Sequence, residues 1–149
     1  MSTASAVSIL IGDWARQGAA AAPLRHAVFV LEQGVPLALE LDEMDPLAEH
    51  AVAWVGARAV GTARLLPGGH IGRMAVLAAQ RRRRIGAALL QALIERARLR
   101  GDQAVRLHAQ LQAKGFYRRF GFVEQGDVFD DAGIPHVAMS LPLRTGASH

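Results

Sequence analysis

The stretch Met74-Ala75-Val76-Leu77-Ala78-Ala79-Gln80-Arg81-Arg82-Arg83-Arg84-Ile85-Gly86-Ala87-Ala88-Leu89-Leu90 holds a change of period. Before it, apolar residues come in short strand-like runs. From Ile85 onward they recur at Leu89, Leu93, Ile94 and Ala97, while Gln91, Glu95, Arg98 and Arg100 lie mostly off that face. The switch from period two to 3.6 predicts a strand ending at Val76 and an amphipathic helix from Ile85 that Gly101 ends. A helix start carries unpaired amides and a partial positive charge, so four arginines there oppose the dipole unless an external anion compensates them. The stretch therefore predicts an anion site. A solvated basic face, or contact with nucleic acid or membrane, would use the same tetrad, and these residues alone do not separate the readings.

Working outward, Ile71 to Val76 is the third strand of a predicted antiparallel meander. Ala51 to Gly56 and Val60 to Leu66 precede it, joined through Gly56-Ala57-Arg58-Ala59 and then Pro67-Gly68-Gly69. Val7 to Ile11 reads as a first strand, and Leu24 to Leu31 as a helix that starts after Pro23 and fades at Gly34. Gly34 to Glu49 reads as a loop. It holds Pro36, Pro46 and the acids Glu40, Asp42, Glu43 and Asp45, a string too charged to bury. Beyond Gly101 the pattern gives a strand over Gln103 to Ala109 and a short helix over Leu111 to Phe120 stopped by Gly121. A terminal hairpin of Phe122 to Val128 and Val137 to Leu143 follows, with a long connection through Asp130, Asp131, Gly133 and Pro135. No repeat or linker interrupts the chain, so one domain over residues 1–149 is expected.

The composition bounds the chemistry. With 149 residues, 51% of them apolar and 20% charged, the chain is long enough for one sizeable core. No run approaches the roughly 18 apolar residues of a membrane helix, and the start lacks a basic segment followed by a long apolar one. A cytoplasmic protein without membrane contact is expected. The absence of cysteine excludes disulfides, thiolate-bound zinc and a thiol nucleophile. No paired-histidine spacing suggests a metal site either, so none is expected. The net charge of +4 is unevenly spread: residues 58–121 hold fourteen Arg and Lys against Glu95 and Asp102, and acids dominate both ends. A polyanionic ligand held at the centre is the economical reading.

Three separated segments then carry a family likeness. Arg81-x-x-Arg84-x-Gly86, followed by Ala87-Ala88-Leu89-Leu90, resembles the diphosphate-binding loop Arg/Gln-x-x-Gly-x-Gly/Ala of the GNAT superfamily of N-acetyltransferases. Lys114-Gly115-Phe116-Tyr117-Arg118-Arg119-Phe120-Gly121-Phe122 is similar to its Phe-Tyr-x-x-x-Gly-Phe segment. Ala27 to Pro36 with the acids after it, together with Asp131-Ala132-Gly133-Ile134-Pro135-His136, resembles a small single-domain bacterial branch. One departure stands out: Arg84 occupies the place of the first loop glycine, where positive φ disfavours a side chain. Either the loop there is αR-like, or the Arg84 guanidinium clamps phosphate oxygens in place of an amide.

The resemblance implies an α/β fold of α+β type. Its mixed, mostly antiparallel sheet would have about six or seven strands, splayed between strands 4 and 5 and flanked by about four helices. It implies acetyl-CoA as acyl donor and direct attack by the amine of a small acceptor. Cofactor contacts fall on Met74, Ala75, Val76, Arg81, Arg82, Arg83, Arg84, Ile85, Gly86, Ala87, His108, Gln110 and Tyr117. Tyr117 maps to the acid that protonates the leaving sulfur: a phenol near pKa ~10 still holds its proton at neutral pH and can pass it to the sulfur as the carbon–sulfur bond breaks. The base is open between Glu32, Glu40 and His108, with Glu40 the first candidate and His108, beside Gln110, read rather as a cofactor contact; Glu32, Gln33, Glu40 and Asp42 are the candidates for acceptor binding. The acids would favour a cationic amine. His26, His50, His70 and His149 read as surface or packing residues. Small members of this family pair through terminal strands, so a homodimer is one expectation. The rival functions are an acyl-CoA-binding domain without catalysis and a basic nucleic-acid-binding protein, the latter lacking interleaved exposed aromatics.

Overall fold

A computed structural model describes residues 6–40 and 42–143. Two sheets form it. Strands β1 (Val7–Gly12), β2 (Glu49–Val55), β3 (Arg58–Leu65) and β4 (Ile71–Val76) make an antiparallel meander in that order. Strands β5 (Ala104–Gln110), β6 (Val123–Asp131) and β7 (Ile134–Pro142) make a second sheet ordered β5-β7-β6. The first sheet is covered on both faces, as period-two alternation along β2 shows. Ala51 and Ala53 join the core beneath helix α3 (Ile85–Arg100), whereas Val52 packs with Ala21 and Leu24 of helix α1 (Trp14–Arg25). Ile85, Leu89, Leu90, Leu93, Ile94 and Ala97 give α3 its buried stripe.

The predicted first helix starts too late. Asp13 caps α1 by accepting the Arg16 N–H at 3.0 Å, ten residues before the expected start, and Pro23 lies inside the helix rather than before it. The run Gly18 to Ala22 hides this helix from periodicity: alanine has high helix propensity but marks no apolar face. Pro23 withholds one N–H from the helix, and shortly after it the backbone widens into a π turn over His26–Glu32.

The segment read as a loop contains a short helix α2 (Leu37–Glu40) and a 3-10 turn over Asp45–Leu47. Its acids do bury: Glu40 and Asp45 are each 4% exposed. Charge bars burial only when no partner is supplied, and Arg25, Arg64 and Arg73 arrive from other elements to supply one. The terminal hairpin also differs from expectation. Asp131 and Ile134 pair, so Ala132 and Gly133 alone make the turn, both at positive φ (52° and 79°), as a type I′ hairpin requires. Pro135 belongs to β7, opposite Asp130.

Helix α3, which leads into the second sheet, and the short helix before β6 end in the same way. Gly101 sits at φ 90°, with its N–H on the Arg98 carbonyl and the Asp102 N–H on that of Ala97. Gly121, at φ 97°, repeats this with Arg118 and Tyr117 after helix α4 (Lys114–Arg118). Among the described residues, one isolated parallel bridge joins the backbones of the two sheets, between His70 and Arg106, beside the Arg106 N–H bond to the Gly69 carbonyl at 2.9 Å. A Cβ on Gly69 would lie 2.3 Å from the Ala104 carbonyl oxygen, so the junction requires glycine. Beyond it β4 and β5 share no ladder, which is the splay expected between the fourth and fifth strands.

Candidate active site

The splay opens a cavity of about 490 Å³. Its walls come from β4 (Ile71, Gly72, Arg73, Met74), from β5 (Leu107, His108, Gln110), from Tyr117 on α4, from Phe29 and Gln33 of the π turn, and from the β6–β7 turn. Among the predicted residues it brings together Gln33, Glu40, Met74, His108, Gln110 and Tyr117. Tyr117 is set by its neighbours: its ring meets Phe116 edge-on at 5.0 Å and Phe122 at 5.9 Å. Burial pushes its phenol above the ordinary value near 10, so the hydroxyl keeps its proton at neutral pH.

Strand β4 bends where it lines the cavity. Arg73 has φ 49° and the register with β3 shifts between Thr62 and Arg64, a bulge that turns backbone groups out of the ladder. Ala75, by contrast, is buried toward the core and is absent from the wall. The Val76 carbonyl accepts the Arg81 Nε–H at 2.9 Å.

The arginine turn lies at the start of α3. Residues Ala78–Arg83 form a 3-10 turn, and Arg84 caps α3 in the left-handed region at φ 59°, the conformation its family position calls for but a side chain resists. The first bond closing α3 runs from the Ala88 N–H to the Arg84 carbonyl, so the amides of Ile85, Gly86 and Ala87 lie in the turn that has no intrahelical acceptor. Gly86 faces the cleft walls: a Cβ there would come 3.7 Å from Met74 Sδ and 3.9 Å from Phe116 Cζ. The Ile85 side chain is fully buried, leaving its backbone to serve any ligand. Arg81 chelates Glu32 with Nη1 and Nη2 at 2.5 and 2.6 Å, and the Arg83 Nη1–H donates to Gln80 at 3.0 Å. The side chain of Arg82 lies outside what the structure describes. A helix start with free amides and guanidinium groups beside it suits a diphosphate.

The acidic loop is organised differently from expectation. Glu40 was read as an exposed base; instead its carboxylate accepts Arg25 Nε–H at 2.8 Å and lies 3.2 Å from Arg73 Nε. Asp45 bridges Arg25 and Arg64 at 2.7 and 2.9 Å, and Asp42 takes both terminal nitrogens of Arg64 at 2.8 Å. The Arg64 hydrogen bonds hold the Asp42 carboxyl down at about 2. Glu32 is likewise held below the ordinary carboxylate range by its Arg81 hydrogen bonds. Neither Glu32 nor Asp42 lines the cavity. Of the acids on the wall, Asp131 ends strand β6 and stands apart from this cluster.

Sequence reasoning missed His70, Arg73 and His136. His70, expected at the surface or in packing, stands on the cavity wall, where burial and then the neighbouring His108 push it down to about 4. Periodicity does not reveal it, because its place depends on which strand lies across the splay. His50 is buried as read, with Nε2 2.9 Å from the Asp45 carbonyl oxygen, and His149 lies outside the described residues.

Two sheets parted over a cavity, with a phenol on its wall and a helix start packed against Met74 of that wall, are the architecture of an acyltransferase of the GNAT fold. The family profile for the acetyltransferase (GNAT) domain matches residues 12–143, and the chain belongs to that family. A Bacillus subtilis protein described as an acetyltransferase is 39% identical over 123 residues, spanning 78% of this chain and 84% of that one. The crystal structure of ElaA from Escherichia coli superposes with a TM-score of 0.82 at 30% identity, covering 89% of this chain and 98% of that one. An acyl-CoA N-acyltransferase of Pseudomonas aeruginosa gives 0.81 at 29%, covering 91% and 99%.

Proposed function

We propose that the protein moves an acetyl group from acetyl-CoA to the amine of a small acceptor, with both substrates bound together. The observation that carries this is that Tyr117 and the bulged strand β4 line one cavity, with Gly86 at the start of α3 lying against Met74 of its wall. In this reading the amides of Ile85, Gly86 and Ala87 hold the diphosphate with the guanidinium groups of Arg81, Arg82, Arg83 and Arg84. The backbone of Met74, Ala75 and Val76 flanks the pantetheine arm, with His108 and Gln110 across the splay. The thioester supplies an activated carbonyl. The amine nitrogen attacks it, and Tyr117 gives its proton to the departing sulfur.

Gln33 and Glu40 are the proposed acceptor contacts on the wall. Glu32 and Asp42 serve the acceptor indirectly, by fixing Arg81 and Arg73 in place. Because Glu40, Asp42 and Asp45 already neutralise arginines, their pull on a cationic amine is weak, and Asp131 becomes the acid that would favour one. The test is thiol release from acetyl-CoA with a panel of cationic and neutral amines, run beside a thermal melt. Saturating acetyl-CoA should raise the melting temperature by the linkage relation. Stabilisation without turnover on any amine would leave an acyl-CoA-binding domain; no stabilisation would remove the donor altogether.

A further inference from the structure

We propose that His108, backed by His70, accepts the proton that the acceptor amine loses, a role that rests on the acyl-transfer reading above. Three imidazoles, those of His70, His108 and His136, stand on the cavity wall. With Phe129 they form a continuous run of rings. His70 and His108 have centroids 4.8 Å apart at 72°, His108 and Phe129 4.9 Å at 78°, and Phe129 and His136 6.0 Å at 27°. Among the described residues no three His, Asp or Glu side chains come together as a metal-ligand set, so proton transfer is the chemistry this run offers.

Position singles out His108. His108 lies two residues beyond Arg106, which bridges to His70, and lines the cavity together with Gly72, Met74 and the bulged Arg73. Along β5, Val105, Leu107 and Ala109 turn into the core, and alternation leaves His108 exposed on the other face. Rings on both sides hold it edge-on. Gly72 keeps the space before His70 open, since a Cβ there would meet its Cδ2 and Nε2 at 3.8 and 3.9 Å. His136 is less suited, being 8% exposed with Nδ1 tied to the Ile134 carbonyl at 2.7 Å. Glu40 is clamped between two guanidinium groups.

His70 makes the pair asymmetric. Its own burial, His108, and then Arg64 of β3, Arg106 of β5 and Arg73 of β4 keep it neutral down to about pH 4. His70 therefore stands beside His108 as a neutral neighbour. The step balances as follows. The amine lone pair forms the bond to the carbonyl carbon, the carbon–sulfur pair leaves with sulfur, and the amine proton passes to a His108 ring nitrogen. Tyr117 protonates the sulfur, His108 releases its proton to water, and the phenolate regains one from water. The net change is amine plus thioester to amide plus thiol.

The experiment compares wild type, His108→Gln and His70→Gln in the full chain. It measures kcat/KM for the amine across pH, acetyl-CoA affinity by calorimetry, and rescue of His108→Ala by added imidazole. The expected result for His108→Gln is a loss of about a hundredfold in rate with donor affinity nearly unchanged, the scale of one general base. Its acid limb should vanish, imidazole should restore part of the His108→Ala rate, and His70→Gln should move the acid limb rather than remove it. A wild-type rate and pH profile in His108→Gln overturns the proposal. So does a rate loss matched by lost donor affinity, which would make His108 a cofactor contact. Wild type that acylates no amine would instead bring down the acyl-transfer reading, and this role with it.

Discussion

Arg25 and Glu40 form an ion pair at 2.8 Å whose side chains are 2% and 4% exposed, joining helix α1 to the short helix α2. Removing one member of such a pair leaves the other charge buried and uncompensated. Glu40→Gln is expected to destabilise the fold by about 3 kcal/mol, at the low end because Asp45 still binds Arg25. Chemical denaturation measures this, and the same variant separates structure from catalysis. If Glu40 were the base, its acid limb would disappear; a preserved limb with a lower melting temperature is expected.

Tyr117→Phe keeps the ring contacts with Phe116 and Phe122 and deletes the hydroxyl. Acetyl-CoA affinity should hold while thiol release slows by roughly a hundredfold. Because burial raises the Tyr117 pKa, wild-type activity should show no alkaline limb from this group below pH 10. Equal rates for the two proteins would return Tyr117 to packing.

Arg84 holds a left-handed conformation that costs a side chain about 1 kcal/mol. Arg84→Gly relieves that strain but loosens the unfolded chain, so stability should be unchanged or rise by up to about 1 kcal/mol, whereas Arg84→Ala should show no gain. Both remove one guanidinium group, and both should weaken acetyl-CoA binding about tenfold, the scale of one charge-assisted hydrogen bond. Calorimetry in low and high salt would detect the lost charge as a shallower salt dependence.

The pH dependence of stability has two windows. His70 is depressed from 6.5 to about 4, so below pH 6.5 the unfolded chain takes up a proton that the folded one refuses. Stability should be full above pH 6.5 and fall as pH drops to about 4, and His70→Gln should flatten that part of a melting curve against pH. Asp42 is depressed from 3.8 to about 2, so its contribution is present above pH 3.8 and lost on descent to about 2. Asp42→Asn should flatten only the lower window.

The strands and the long helix were legible in the sequence because burial imposes a period: Ile85, Leu89, Leu93 and Ala97 face one core whatever lies beneath them. Helix α1 was not, since its run of alanines marks no apolar face, and neither was the two-residue turn at Ala132 and Gly133, whose tightness depends on strand pairing. The arginine turn, Tyr117 and the split between sheets could be read from local motifs. The acidic segment could not, because Glu40, Asp42 and Asp45 look solvated until Arg25, Arg64 and Arg73 are brought to them from three other elements.

By itself the sequence determined the order of elements around Val76 and Ile85, the anion-seeking start of α3, and the kinship that Phe116 to Phe122 carries. These are local properties, set by side-chain period, helix-end chemistry and contiguous motifs. Only the tertiary structure decided that His70 and His108 share a wall, that Glu40 is neutralised, and that β4 bulges at Arg73. Each depends on residues far apart in the chain meeting across a splay that one bridge at His70 and Arg106 holds closed at its end, and no spacing along the chain encodes such a meeting.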